Sequence, residues 1–105
     1  PRLASEAGWL SFGPFLSLPV GKYRYAINYV SNEIASIQTG NWEIVLENEK
    51  ILKSGTLTGT HGQIQRIEGD FSIEAQDAGK PFEMRTYYLA KGDLQIVSSS
   101  LQKVP

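Results

Sequence analysis

The stretch "GPFLSLPVGKYRYAINYV", residues 13–30, decides the fold. Tyr23, Tyr25, Ile27 and Tyr29 alternate with Lys22, Arg24, Ala26 and Asn28. A period of two sets apolar residues on one face of a strand and polar ones on the other. Ahead of them, Pro19 presets φ for the second position of a turn and Gly21 offers a permissive backbone at its exit. One strand is therefore expected to end at Leu18 and the next to begin near Lys22. Pro14 lacks an amide donor and marks the earlier strand as an edge or bulged one. Three tyrosines and two cations in residues 22–29 also pose the functional question: do they serve a core or a ligand?

The alternation continues outward from this stretch. Trp42, Ile44 and Leu46 alternate with Glu43, Val45 and Glu47, and Phe71, Ile73 and Ala75 with Asp70, Ser72 and Glu74. Phe82, Met84, Thr86 and Tyr88 stand against Glu83, Arg85 and Tyr87, and Leu94 and Ile96 open a last strand. Turn residues at "LPVG", "TGN", "ENEK", "LTGTHG", "QDAGK" and "AKGD" separate these runs at intervals of roughly 8–12 residues, as in sandwiches and barrels. Only "SNEIASIQ", residues 31–38, competes as helix, with Ser31 as N-cap and Ile34 and Ile37 at i, i+3, and it is long enough for one turn at most. The expected architecture is all-β: a jelly-roll-like antiparallel sandwich of about eight strands. Its expected core is Phe15, Leu18, Tyr23, Ile27, Trp42, Ile44, Leu46, Phe71, Ile73, Phe82, Met84, Leu94 and Ile96.

Composition narrows the function. A chain of 105 residues is read as one domain, 1–105, and Pro1 in place of an initiator Met leads us to expect a module cut from a longer protein. Ten Lys and Arg against eleven Asp and Glu give a net charge of −1, without the basic footprint that a nucleic-acid backbone demands. The absence of cysteine removes disulfides, thiolate metal sites and thiol catalysis, and leaves the compartment undecided by redox chemistry. Short apolar runs and an N-terminus without signal-peptide order lead to no expectation of membrane insertion or targeting; a cytoplasmic setting is expected, with an extracellular one as the alternative.

Catalytic signatures are sparse. The sole histidine, His61, sits in the Gly-rich "TGTHGQ" and reads as a solvated loop residue. Neither a metal-protease nor a phosphate-loop motif occurs. Paired carboxylates for glycoside hydrolysis would have to come from Glu43, Glu74 and Glu83. The acids Glu6, Asp70, Asp77 and Asp93 form no oxygen-ligand loop of calcium-binding spacing. No cofactor, metal or independent catalysis is expected.

The order Gly13-Pro14-Phe15, Leu18-Pro19-x-Gly21-x-Tyr23-Arg24, Trp42-Glu43-Ile44, Gly55 to Gly59, Phe71, Glu83-x-Arg85 and Leu94-x-Ile96 to Leu101 resembles a jelly-roll domain family over almost the whole chain. Such domains are appended to bacterial glycosyltransferases and methyltransferases that build cell-surface polysaccharide, and they resemble carbohydrate-binding modules. Where the family carries an aliphatic residue after "GxYR", this chain has Tyr25. The resemblance implies a non-catalytic glycan-recognition module of a polysaccharide-biosynthesis enzyme. Its partners would be an oligo- or polysaccharide and other domains of the parent. The alternative is a protein-interaction or assembly domain of the same enzyme that binds no sugar.

Strand parity nominates the site. The tyrosines of residues 23–29 point into the sandwich, which leaves Lys22, Arg24 and Asn28 outside. Glu83, Arg85 and Tyr87 form another outward row. A ring that stacks on sugar C–H faces, beside a guanidinium and a carboxylate that fix hydroxyls, makes Tyr87, Arg85 and Glu83 a candidate platform. Arg24 and Asn28 extend it if their strands are adjacent, and Trp9 is either a rim aromatic or the lock of an edge strand. The competing reading is a salt-bridge ladder in which Glu83 and Glu74 pair with Arg85 or Lys22.

Overall fold

The computed structural model describes residues 2–4, 8–12, 17–47 and 49–105. Among them run eight strands: β1 (Arg2–Ala4), β2 (Gly8–Phe12), β3 (Gly21–Val30), β4 (Gln38–Leu46), β5 (Lys50–Thr58), β6 (Gln65–Ile73), β7 (Phe82–Tyr88) and β8 (Leu94–Val104). They form two four-stranded antiparallel sheets, ordered β1-β8-β3-β6 and β2-β7-β4-β5, in a jelly-roll sandwich. The turn through Pro19 and Gly21 lies where expected: β3 begins at Gly21, and the Tyr23 hydroxyl donates to the Pro19 carbonyl at 2.7 Å.

The core is aromatic and spans both sheets. Tyr23, Tyr25, Ile27 and Tyr29 of β3 are buried against Trp42, Ile44 and Leu46 of β4 and Phe82, Met84 and Tyr88 of β7. Phe71 stacks on Tyr23 and on Phe82, each at 5.7 Å between ring centroids, and so joins the two sheets. Tyr25, the departure from the family pattern, packs its ring 5.2 Å from Trp42 and 6.2 Å from Phe71, and burial pushes its phenol up. Two glycines make room for this pair. A Cβ on Gly55 would lie 2.5 Å from Trp42 Nε1, and one on Gly69 would lie 2.6 Å from the Tyr25 hydroxyl. Of the remaining expected core residues, Ile73, Leu94 and Ile96 are buried, Leu18 is half-buried against the cluster, and Phe15, like Pro14, lies outside the described residues.

Two local expectations need correction. Ala75 is exposed rather than inward, because β6 stops at Ile73 and residues Ala75–Asp77 form a single 3-10 turn. That turn is tied down by Asp77, 3% exposed, whose carboxylate receives Lys50 at 2.7 Å and Lys80 at 3.2 Å. Residues 31–37, too short to stand alone as a helix, form none. Ser31 is instead held by Thr60, whose hydroxyl accepts from the Ser31 amide and donates to the Ser31 carbonyl, each at 2.9 Å. Val45 and Glu83 have outward parity, yet Val45 is 1% and Glu83 9% exposed, so alternation overstates the openness of that end of the second sheet. Among the described residues no helix is long and apolar enough to cross a membrane.

Phe82→Ala is expected to cost about 3–5 kcal/mol, a large part of such a domain's stability, because the ring is 1% exposed and carries the Phe71 stack. Chemical denaturation checks this; an unchanged midpoint would remove Phe82 from the core. The Lys50 hydrogen bond, helped by Lys80, outweighs burial and holds the Asp77 carboxyl below the usual carboxylate range. A depressed folded value stabilises above the unfolded value of about 3.9, and that stability is lost as pH falls through the folded value. Asp77→Asn should therefore destabilise at neutral pH, with the gap to wild type closing as a denaturation series descends below about pH 4. A gap independent of pH would contradict the assignment.

Candidate functional site

The second sheet, β2-β7-β4-β5, builds the site through its register. Because Trp42 points inward, its neighbours Asn41 and Glu43 point outward. Tyr87 of β7, Asn41 of β4 and Thr56 of β5 stand opposite one another in one rung, and Arg85, Glu43 and Ser54 make the next. Between the rungs the Trp42↔Gly55 pair forms the floor. All of these except Arg85, together with Ile51, line an open groove of about 540 Å³. Its walls are one aromatic ring, hydroxyls, an amide and a carboxylate.

The charged end of the groove is a fixed triad. Arg85 donates from Nε and Nη2 to Glu43 Oε1 at 2.6 and 2.5 Å, and its Nη1 lies 3.5 Å from Glu83 Oε1. All three side chains are less than one-fifth exposed. Asn41 is oriented as well: Gln38 Nε2 donates to its Oδ1 at 2.6 Å, which turns the Asn41 amino group to other acceptors. Of the three carboxylates weighed for hydrolysis, Glu43 and Glu83 are brought together with Arg85 between them, while Glu74 follows the end of β6 in the other sheet.

The expected site residues are thus divided between two faces. Glu83, Arg85 and Tyr87 share β7, and the backbone of Trp9 stands opposite Tyr87 in the β2–β7 register; the Trp9 ring lies outside the described residues. Arg24 and Asn28 belong to β3, in the other sheet, so the adjacency that would join them to Arg85 does not exist. Parity is a local property, and both rows are outward, but they face opposite sides of the sandwich. Asn41, Ser54 and Thr56 went unnoticed in the sequence. Their outward parity was visible, whereas the β7-β4-β5 pairing that gathers them around Tyr87 was not.

The β3 face has its own charge ladder, with partners other than those expected. Arg24 Nε donates to Asp70 Oδ1 at 3.0 Å, Lys22 reaches Asp70 at 3.5 Å, and Asn28 donates to the Ser98 hydroxyl at 3.0 Å. The Arg24 hydrogen bond holds the Asp70 carboxyl below its ordinary range and raises the guanidinium in turn. The pairing of Glu74 with Arg85 or Lys22 is replaced by Asp70 with Lys22 and Arg24, and by Glu43 and Glu83 with Arg85. His61 is an exposed loop residue at φ +55°. Among the described residues no three His, Asp or Glu are grouped to hold a metal ion.

No family model and no curated protein matches the chain. Solved structures do. A carbohydrate-binding module from the Cellvibrio mixtus lichenase 5A, in complex with cellotriose, superposes with a TM-score of 0.61 at 17% identity, over 94% of this chain and 73% of that one. The C-terminal carbohydrate-binding module of LamC, a laminarinase from Zobellia galactanivorans, gives 0.59 at 20%, over 91% and 73%. The xylan-binding domain of Paenibacillus barcinonensis Xyn10C gives 0.55 at 15%, over 93% and 71%. At such identities the likeness is one of fold: the chain has the sandwich of carbohydrate-binding modules.

Arg85→Ala would leave two low-exposure carboxylates facing each other without their cation and should cost about 1–3 kcal/mol. Arg24→Ala, on the open face, should leave the melting temperature close to wild type. Equal losses in thermal denaturation would contradict this contrast.

Proposed function

We propose that this domain is a non-catalytic carbohydrate-binding module that keeps a surface-polysaccharide-building enzyme on its glycan. The carrying observation is the groove in which the half-buried Tyr87 ring stands beside Asn41, Glu43, Ser54 and Thr56. Sugar recognition needs an aromatic face for C–H stacking and fixed donors and acceptors for paired hydroxyls. The groove provides both on strands, whose positions are held by the sheet. Arg85 takes a different part from the one expected of it: opposite Glu43 in the β4–β7 register, it holds the Glu43 carboxylate. The fold likeness to modules described with cellotriose and xylan supports this reading. The link to a polysaccharide-building parent rests on the family resemblance of the sequence.

The second reading, an assembly domain of the same parent, is favoured by one feature. Edge strand β5 carries Ile51, 56% exposed, beside open backbone edges of the kind that docking partners extend.

Calorimetric titration with a panel of bacterial envelope and plant-type oligosaccharides separates the two. The wild type should bind at least one glycan, and Tyr87→Ala should weaken that binding by about 1–2 kcal/mol while destabilising the fold far less than Phe82→Ala. No binding across the panel, or equal affinity in Tyr87→Ala, would move the function to assembly.

A further inference from the structure

We infer that the groove selects neutral glycans against those carrying uronic acids, and that Glu43 is the residue that sets this choice; the inference rests on the carbohydrate reading of the groove. Both short contacts from Arg85 fall on Glu43 Oε1. Among the described residues no hydrogen bond falls on Oε2 of this groove-lining carboxylate. The guanidinium therefore anchors Oε1 and leaves Oε2 as the acceptor for the ligand. A sugar hydroxyl donates to such an oxygen; a sugar carboxylate brings a second negative charge to it.

The surrounding charge deepens the effect. Two carboxylates, Glu43 and Glu83, meet one guanidinium, so the triad carries a net charge of −1. Among the described residues no lysine or arginine lines the groove, and apart from Glu43 its lining is neutral. Arg85 commits Nε and Nη2 to Glu43 Oε1 and Nη1 to Glu83, does not line the groove, and so offers no fork for bidentate capture of a uronate. The amino group of Asn41, freed by Gln38 on its oxygen, is a neutral donor suited to hydroxyl and ring oxygens. Discrimination thus comes from a repulsive element built beside the attractive ones.

The test is calorimetric titration of the full chain with matched pairs. These are β-1,4-linked gluco-oligosaccharides and the same chains oxidised to uronates at C6, and xylo-oligosaccharides with and without glucuronic acid branches. At low salt the neutral member should bind about tenfold tighter, and the gap should shrink at about 1 M salt, where the screening length falls to about 3 Å. Glu43→Gln should weaken neutral binding and close most of the gap, and because the paired comparison is made on the wild type it does not depend on how that variant folds. Equal or tighter uronate binding would overturn the selectivity and leave carbohydrate binding standing. A gap that persists in folded Glu43→Gln would overturn the role of Glu43. No binding by any member of any pair would overturn the carbohydrate reading and this inference together.

Discussion

The contact between Tyr25 and Trp42 is the constraint on which the rest of the molecule depends. These rings come from β3 and β4, inner strands of opposite sheets, and meet at 5.2 Å between centroids. Seating both requires bare backbone at Gly55 and Gly69, directly across each strand pair. Once Trp42 is committed inward, alternation turns Asn41 and Glu43 outward, and the floor of the groove follows. Core and site are thus two faces of one strand. A one-residue slip of β4 would exchange them, burying Glu43 and exposing the indole.

This coupling answers the question raised by the tyrosine-rich strand. Tyr23, Tyr25 and Tyr29 serve the core, and the cations between them serve a ladder with Asp70 on the outer face of their sheet. The ring that lines the groove, which we propose meets the glycan, is Tyr87, four strands later in the chain, in the other sheet. The β3 face is polar and flat, with Asn28 bonded to Ser98 and Arg24 to Asp70. Its charged groups are engaged with one another across strands, whereas in the groove a Glu43 oxygen and the Asn41 amino group carry no bond among the described residues.

What the sequence revealed was whatever depends on near neighbours. The inward sets Tyr23-Tyr25-Ile27-Tyr29, Trp42-Ile44-Leu46 and Phe82-Met84-Thr86-Tyr88 are all buried, because a period of two is written into adjacent residues. The turn at Pro19 and Gly21 was legible for the same reason. What depends on pairing was not. Arg24 and Arg85 look equivalent in sequence, and only the sheet order separates their faces. Asp77 looked like one scattered acid, but Lys50, distant in sequence, turns it into the anchor of the turn that ends β6. Ser31 had the chemistry of a helix cap, but its hydroxyl donates to Asp93 and accepts from the Glu33 amide in a loop, while its backbone is held by Thr60.

The central claim, that this sandwich recognises sugar on the outer face of its second sheet, is tested most directly by mapping amide chemical shifts during addition of a neutral β-linked oligosaccharide. The account predicts saturable shifts confined to Asn41, Glu43, Ser54, Thr56 and Tyr87, with Arg24, Asn28 and Ser98 on the opposite face unmoved. Saturable shifts centred on the β3 face, or none at any concentration, would contradict it.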